Sequence, residues 1–394
     1  MRERSRAITI VVACLLVLVA VISLVLLRIP SPAPAYEFAS TSQAVDDIRF
    51  SPDGQQLAVA SSSWWREKQE HSTRIYQVPD GKVIRELDDA GAACNWSADG
   101  AVFAAAMPND QKIRVWDALT WSRKHDLRLP ELSQFESRCL VHNKTARLAF
   151  DRRGNLYAVQ DYDADGIGVH VLDGVKVWRG AASGRNDAID AVTIGTCNNH
   201  LDMSVASVQG ENGVARLAIS YYQPCSINGG TGFLVEIAIL RSDGSGRPTV
   251  QKAYGVLAPD PRASYQWSFL QMTPDGQYLV VRTLKEFCVF RLFDDHGDLV
   301  HSRPEPLDPK AFSLAKALDI SLEGRLAAYC SADYVQVVRI PSGQTVLALR
   351  QARAPFALSP DGSLLAVADR ARKKVLFYRI PQDTVVEERN GVAN

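Results

Sequence analysis

The sequence predicts an all-β fold: repeated four-stranded antiparallel sheets behind one N-terminal transmembrane helix. Three observations carry this. Residues 50–60 read FSPDGQQLAVA, and residues 358–368 read LSPDGSLLAVA. Looser copies of that stretch lie between them, about 40 to 50 residues apart where the units are clean. Residues 7–27, AITIVVACLLVLVAVISLVLL, carry no charge.

The apolar run comes first. A span of about 20 apolar residues crosses a hydrocarbon core as a helix. Arg2, Arg4 and Arg6 precede it and only Arg28 follows closely. That bias keeps residues 1–6 in the cytoplasm, makes residues 7–28 a transmembrane signal anchor, and puts the rest outside the cytoplasm. A cleaved signal peptide is the rival, with Ala33-Pro34-Ala35 as its small-residue site, but its apolar core would be shorter. Val11-Val12-Ala13-Cys14 has lipobox-like chemistry, yet it sits mid-run, so cleavage there would leave a long hydrophobic tail. Residues 29–43, rich in Pro, Ala and Ser, read as a tether.

The repeats follow over residues 44–390. Ser51-Pro52-Asp53-Gly54 is echoed by Ser97-Ala98-Asp99-Gly100, Asp151-Arg152-Arg153-Gly154, Thr273-Pro274-Asp275-Gly276, Ser321-Leu322-Glu323-Gly324 and Ser359-Pro360-Asp361-Gly362. Proline at the second turn position pre-sets φ, and Asp-Gly tolerates a tight reversal. A short apolar run precedes each turn, and alternating runs such as KIRVWDA and KVLFYRI follow, the mark of half-buried strands. Each unit is therefore a four-stranded antiparallel meander. One such sheet cannot bury both faces alone, whereas a ring of them can, and the ring protects the edges. The spacing is that of a β-propeller. Six clear units begin near residues 45, 92, 138, 266, 316 and 354. Residues 188–257 hold strand-like DAVTIG, MSVASV, ARLAISYY and FLVEIAIL, one enlarged unit or two. Seven blades are expected. The ring should close by pairing a strand around Tyr36–Thr41 or Val45–Phe50 into the unit at 354–390, making the turns at 51 and 359 neighbours.

These SPDG-type strand pairs resemble the WD40 and WD40-like β-propeller families over about residues 44–390. Only Trp116-Asp117 is a true Trp-Asp dipeptide, and no unit opens with Gly-His. The resemblance is to divergent bacterial-style propellers as much as to regular WD40 scaffolds.

Composition narrows the function. Lys+Arg and Asp+Glu are 44 each, so the basic excess of a nucleic-acid binder is missing. The run Arg370, Arg372, Lys373, Lys374 reads as a charged hairpin loop. Six cysteines beyond Cys14 are widely spread without zinc-like spacing, and they leave buried thiols and disulfides both open. No histidine pair, nucleophile elbow or phosphate loop appears. Asn95 and Asn143 head formal glycosylation sequons, Asn95 within a strand.

Three stretches depart from the repeat. Asp161-Tyr162-Asp163-Ala164-Asp165-Gly166 matches the first half of a calcium loop, with Asp161, Asp163 and Asp165 as ligands, but Val169 and Leu172 stand where later ligands belong. Propeller hairpins are known to host shortened loops of this kind. An acidic β-turn is the plainer reading. Trp64 and Trp65, in the loop SSSWWREKQEHS, make a candidate partner platform, as do Tyr221 and Tyr222 in the enlarged unit. The function expected is non-catalytic protein–protein interaction or scaffolding, with no cofactor. The alternatives are a lactonase-like propeller hydrolase, whose carboxylates and histidines would meet at the channel, and a calcium- or carbohydrate-binding module.

Overall fold

The computed structural model describes residues 32–39, 44–65, 68–91, 93–107, 112–128, 142–164, 169–171, 175–178, 181–183, 188–192, 202–207, 214–227, 230–241, 249–257, 268–283, 286–292, 297–304, 318–330, 334–350, 352, 355–369 and 373–382. The segments 1–6 and 7–28 lie outside these. Among the described residues no helix is long and apolar enough to cross a membrane.

The chain divides into two units, Met1–Ala33 and Pro34–Asn394. The second opens with β1 (Tyr36–Ala39). The first sheet then runs in chain order through β2 (Ala44–Phe50), β3 (Gln56–Trp65), β4 (Lys68–Gln77) and β5 (Val83–Asp88). The second is β6 (Cys94–Trp96), β7 (Val102–Met107), β8 (Lys112–Asp117) and β9 (Arg123–Arg128). The third has β10 (His142–Phe150), β11 (Leu156–Ala164), β12 (Val169–Val171), β13 (Val175–Trp178) and β14 (Ala188–Val192), with β12 pairing only on β11. The fourth holds β15 (Asp202–Ser207), β16 (Val214–Ile227), β17 (Gly230–Arg241) and β18 (Thr249–Leu257). The fifth holds β19 (Ser268–Met272), β20 (Tyr278–Thr283), β21 (Glu286–Leu292) and β22 (Gly297–Pro304). The sixth holds β23 (Leu318–Ile320), β24 (Leu326–Cys330), β25 (Tyr334–Arg339) and β26 (Thr345–Arg350). The closing sheet is β27 (Phe356–Leu358), β28 (Leu364–Ala368) and β29 (Lys374–Arg379), with β1 added outside β29.

Two strand assignments differ from the sequence reading. DAVTIG does not open the enlarged unit. Its first residues form β14, the outer strand of the third sheet, and TVQKAYGVL supplies the outer strand of the fourth. GVHVLDG is not the third strand of its sheet either. Val169–Val171 pairs with the tip of β11, and Val175–Trp178 takes the inner register against Leu156–Val159. Both shifts follow from β11 running on past the length that β13 can match.

The core lies in layers between consecutive sheets. Ala58 and Ile75 of the first sheet pack with Trp96, Phe103 and Trp116 of the second. Val102 and Val115 of the second pack with Leu148, Phe150 and Trp178 of the third. Ala218 meets Leu270 and Phe290 between the fourth and fifth. The fifth, sixth and closing sheets share one cluster. Second strands are therefore buried on both faces: VFAAAM and LAAYC have no exposed position. Their alanines let neighbouring sheets approach closely, which is why alternation fades there. Cys94, Cys288 and Cys330 sit in these layers as buried thiols, not disulfides. Burial, reinforced by Glu286, pushes the Cys288 thiol up to about 12. The side chains of the other four cysteines lie outside the described residues.

Closure uses the first of the two expected strands. Tyr36 to Ala39 pair antiparallel with Phe377 to Lys374. The Ala35 N–H donates to the Phe377 carbonyl at 2.6 Å. The Tyr36 ring stacks on Phe377 at 4.4 Å, and Phe38 lies 4.6 Å from Phe377 and 5.7 Å from Tyr76. Gly81 is fitted to this: a Cβ there would stand 2.5 Å from the Phe38 ring. Part of the expected tether is thus a strand of the closing sheet, while Val45–Phe50 begins the first sheet.

Candidate functional site

Each sheet has two ends. The turn joining its first and second strands lies at one, and the hairpin joining its second and third lies at the other. The turn end is uniform. The hydroxyls of Ser51, Ser97, Thr273 and Ser359 each donate at 2.6 Å to Oδ1 of the Asp two residues on. Each hydroxyl oxygen accepts the N–H five residues on, at 2.9–3.0 Å. The same Oδ1 accepts the N–H after the glycine. Hydrogen bonds from the Ser97 hydroxyl and the Ala101 N–H hold the Asp99 carboxyl below its usual range. For Asp361, burial works the other way, but Ser359 and Ser363 outweigh it and the carboxyl is again lowered. In the third sheet Asp151 alone does both jobs, accepting from the Arg153 and Asn155 N–H groups.

Consecutive turns abut. A Cβ on Gly54 would lie 3.5 Å from Pro360, one on Gly100 3.6 Å from Pro52, and one on Gly324 3.4 Å from Pro274. The turns at 51 and 359 are neighbours, as their near-identity predicts. The first strands stand side by side in the same order: β6 by β10, then β15, β19, β23, β27 and β2.

These first strands surround a cavity of about 430 Å³. Each is an edge strand of its sheet, and polar side chains on one bond the backbone of the next. Asn95 Nδ2 donates to the Leu148 carbonyl at 3.1 Å. Ser204 Oγ accepts the Met272 N–H at 2.9 Å, and Asp319 Oδ2 accepts the Leu358 N–H at 2.7 Å. Arg49 donates through Nε to Asp47 at 2.8 Å. Burial disfavours the Arg49 charge, but Asp47, Cys94 and Asp319 together more than offset it, so the guanidinium stays protonated. The lining carboxylates among the described residues are Asp151 and Asp319, both already hydrogen-bonded, and no histidine joins them. Asn95, Ser204 and Asp319 of the lining tie strands together. Among the described residues no cluster of three His, Cys, Asp or Glu could hold a metal.

The hairpin end is uneven. β3, β11 and β16 run 10, 9 and 14 residues. Their counterparts β7, β20, β24 and β28 run 6, 6, 5 and 5. Three hairpins therefore carry their strands on by at least three residues, about 10 Å at strand rise. The sequence-predicted residues fall on these three. Trp64 and Trp65 end β3, opposite Gln69 and Lys68. Asp161 lies in β11 opposite Lys144, and Asp163 opposite His142 and His170. Asp165 is outside the described residues, and Asp161–Ala164 is strand, not the start of a turn. Tyr221 lies in β16 opposite Leu234, and Tyr222 follows within a register irregularity that ends at Cys225. The side chains of these residues lie outside the described ones. The fold sets all three stretches at one end, on three sheets.

Sequence reasoning missed the cavity's polar links. Their signal was present: Arg49, Asn95 and Asp319 each stand two residues before a turn's hydroxyl, inside otherwise apolar runs. The Asn95 amide is engaged by Leu148, so its sequon is spent on structure.

No family model matches the chain, and no curated protein matches it. Solved structures do. Kuenenia stuttgartiensis hydrazine synthase matches at 14% identity over 87% of this chain and 98% of that one, with a TM-score of 0.57. The Cps50 (Swd1) β-propeller domain of Myceliophteria thermophila matches at 12% over 88% and 100%, TM-score 0.54. KlHsv2 with loop 6CD replaced by a Gly-Ser linker matches at 15% over 87% and 95%, TM-score 0.51. At such identities the likeness is one of fold, and with the sheets described above it makes this an all-β, β-propeller-like chain whose antiparallel sheets are four-stranded but for the third.

Proposed function

We propose that the chain is a membrane-tethered, seven-bladed propeller that binds a protein partner outside the cytoplasm, without catalysis, through its three long hairpins. The uneven hairpin end carries this reading. A repeat fold needs only short hairpins to complete its sheets, as β7, β20, β24 and β28 illustrate. Strand that extends past the shared core adds surface without adding core, and such added loops on a rigid frame are where recognition residues concentrate. Trp64, Trp65, Tyr221 and Tyr222, all on such extensions, have the side-chain types that anchor protein interfaces. The blade count rests on the sheet orders and the closure by β1. The anchor rests on the uncharged run at 7–27 and the arginines before it; residues 29–43 then serve as tether, with Tyr36–Ala39 as the closing strand. Fold alone assigns no activity, since one fold hosts many.

The test is affinity isolation of the intact protein from membranes after cross-linking, beside a form whose residues 62–71 are replaced by a two-residue turn. Carbonate extraction and protease protection on the same membranes check the anchor. The reading expects carbonate-resistant protein, protease access from the outer side only, and partners lost on shortening the hairpin. Carbonate-soluble protein would remove the tether, and an unchanged partner set would remove the hairpin site.

A further inference from the structure

The turn end offers a second surface, independent of the hairpins. The central cavity opens there, and its rim is set by the second residue of each turn: Pro52, Ala98, Pro274, Leu322 and Pro360, with Arg152 in the third sheet. Beside it lies a groove of about 390 Å³ between the turns of the first, sixth and closing sheets. Cavity and groove meet at Pro52, Leu322 and Pro360, which line both. Leu322 stands where three of the other turns have proline, and it is 48% exposed. An exposed leucine at the junction of two concavities is apolar surface that the fold itself does not cover.

Charge is one-sided in the groove, whereas the cavity beside it carries Arg49, Arg147 and Arg152. The groove is lined by Asp53, Glu323 and Asp361, and among the described residues no Lys, Arg or His lines it. In Asp53 and Asp361 the turn's hydrogen bonds all fall on Oδ1. Oδ2 takes no part in them, so each carboxylate keeps an oxygen for an incoming donor. Glu323 makes no bond to Ser321 as the aspartates do to their hydroxyls; it pairs at 3.5 Å with Arg325, and both are largely exposed. Such a pair contributes little and exchanges readily.

We propose that this mouth docks an extended, basic segment of a partner protein. An apolar side chain would cover Leu322 and the rim prolines, and flanking Lys or Arg would reach Asp53, Glu323 and Asp361. Charge complementarity selects the occupant: three carboxylates beside Leu322 and the rim prolines favour a cationic chain and repel an acidic one.

The test uses the full chain in non-ionic detergent and labelled peptides followed by fluorescence anisotropy. The probes are Lys-Lys-Leu-Leu-Lys-Lys and its counterpart Glu-Glu-Leu-Leu-Glu-Glu. The basic peptide is expected to bind saturably, at least about tenfold tighter than the acidic one, and to weaken as salt rises from about 50 to about 300 mM. Leu322→Ser with Glu323→Lys changes two exposed side chains and should cost about tenfold or more in that affinity. Asp53→Asn with Asp361→Asn keeps the turn acceptor, removes the charge, and should cost several-fold. Trp64→Ala with Trp65→Ala should leave the peptide bound as before, so loss of the hairpin site and loss of this one are read separately. Equal binding of the two peptides, no saturation, or an unaltered affinity in both double variants overturns the proposal. If only a chain ending at Gln382 takes up the basic peptide, the groove belongs to the protein's own residues 383–394 and the proposal also fails.

Discussion

At the turn end, four turns in four sheets repeat one hydroxyl-to-carboxylate bond at 2.6 Å. At the hairpin end of the same sheets, second strands range from 5 to 14 residues. The difference teaches where each constraint acts. The turns at Gly54, Gly100 and Gly324 each pack against the turn of a neighbouring sheet, so a change in one disturbs two. The long hairpins reach past that shared packing, and there a sheet can vary without disturbing its neighbour. The same segregation explains the closing strand: β1 supplies only four residues, but places Phe38 between two sheets.

Removing that strand should break the comparison most visibly, because it damages architecture alone. Phe38→Ala should cost about 3 to 5 kcal/mol, the usual range for a buried phenylalanine, and deleting residues 36–39 should cost more. Truncating residues 380–394 should also lower the melting temperature sharply, since Ile380 is buried and its N–H donates to Ser363. Thermal unfolding of the full chain checks all three, and an unchanged melting temperature would contradict this closure.

Next in size is the polar stitching of the cavity. Asp319→Ala leaves the buried Leu358 N–H without its acceptor and should cost about 1 to 3 kcal/mol. A substitution with no effect on denaturant midpoint would show that the first strands are held by packing alone.

The turns themselves sharpen the comparison. Ser359→Ala removes a hydroxyl that both donates and accepts and should cost about 1 to 2 kcal/mol. Ser321→Ala, in the turn where Glu replaces Asp, loses a weaker 3.2 Å bond and should cost less. The carboxyls of Asp99 and Asp361 are lowered in the folded state. Their contribution is therefore complete above the unfolded value, about 3.9, and fades as pH falls through the folded one. Asp99→Asn should flatten the acid side of the stability profile below about pH 4; an unaltered profile would mean the turn gains nothing from the charge. Smallest of all is calcium. With Asp163 paired in strand on both sides and Asp161 on one, calorimetry should give no heat at millimolar calcium, and a saturable signal would support the calcium-loop reading.

What could be read in the sequence follows the same division. SPDG and its relatives marked the turns because their residues satisfy local hydrogen bonds, and local chemistry is written locally. Alternation located β8 and β25 but faded in β7 and β24, where burial on both faces replaces polar positions with alanine. The enlarged unit divides differently because β12 pairs only with the tip of β11, so Val175–Trp178 and Ala188–Val192 fill the next two places of the third sheet. The cavity's links and the acidic groove are hard to read for another reason: Asn95, Asp319 and Leu322 gain their roles from residues of the neighbouring sheet.

The claim that the long hairpins carry recognition without bearing on the architecture is tested most directly by replacing Trp64 and Trp65 with alanine. Partner capture from membranes and melting temperature are then measured on the same protein. The account predicts partner capture reduced severalfold or more with the melting temperature essentially unchanged, the opposite of what Phe38→Ala should give. Full partner capture, or loss of capture only in step with loss of stability, would contradict it.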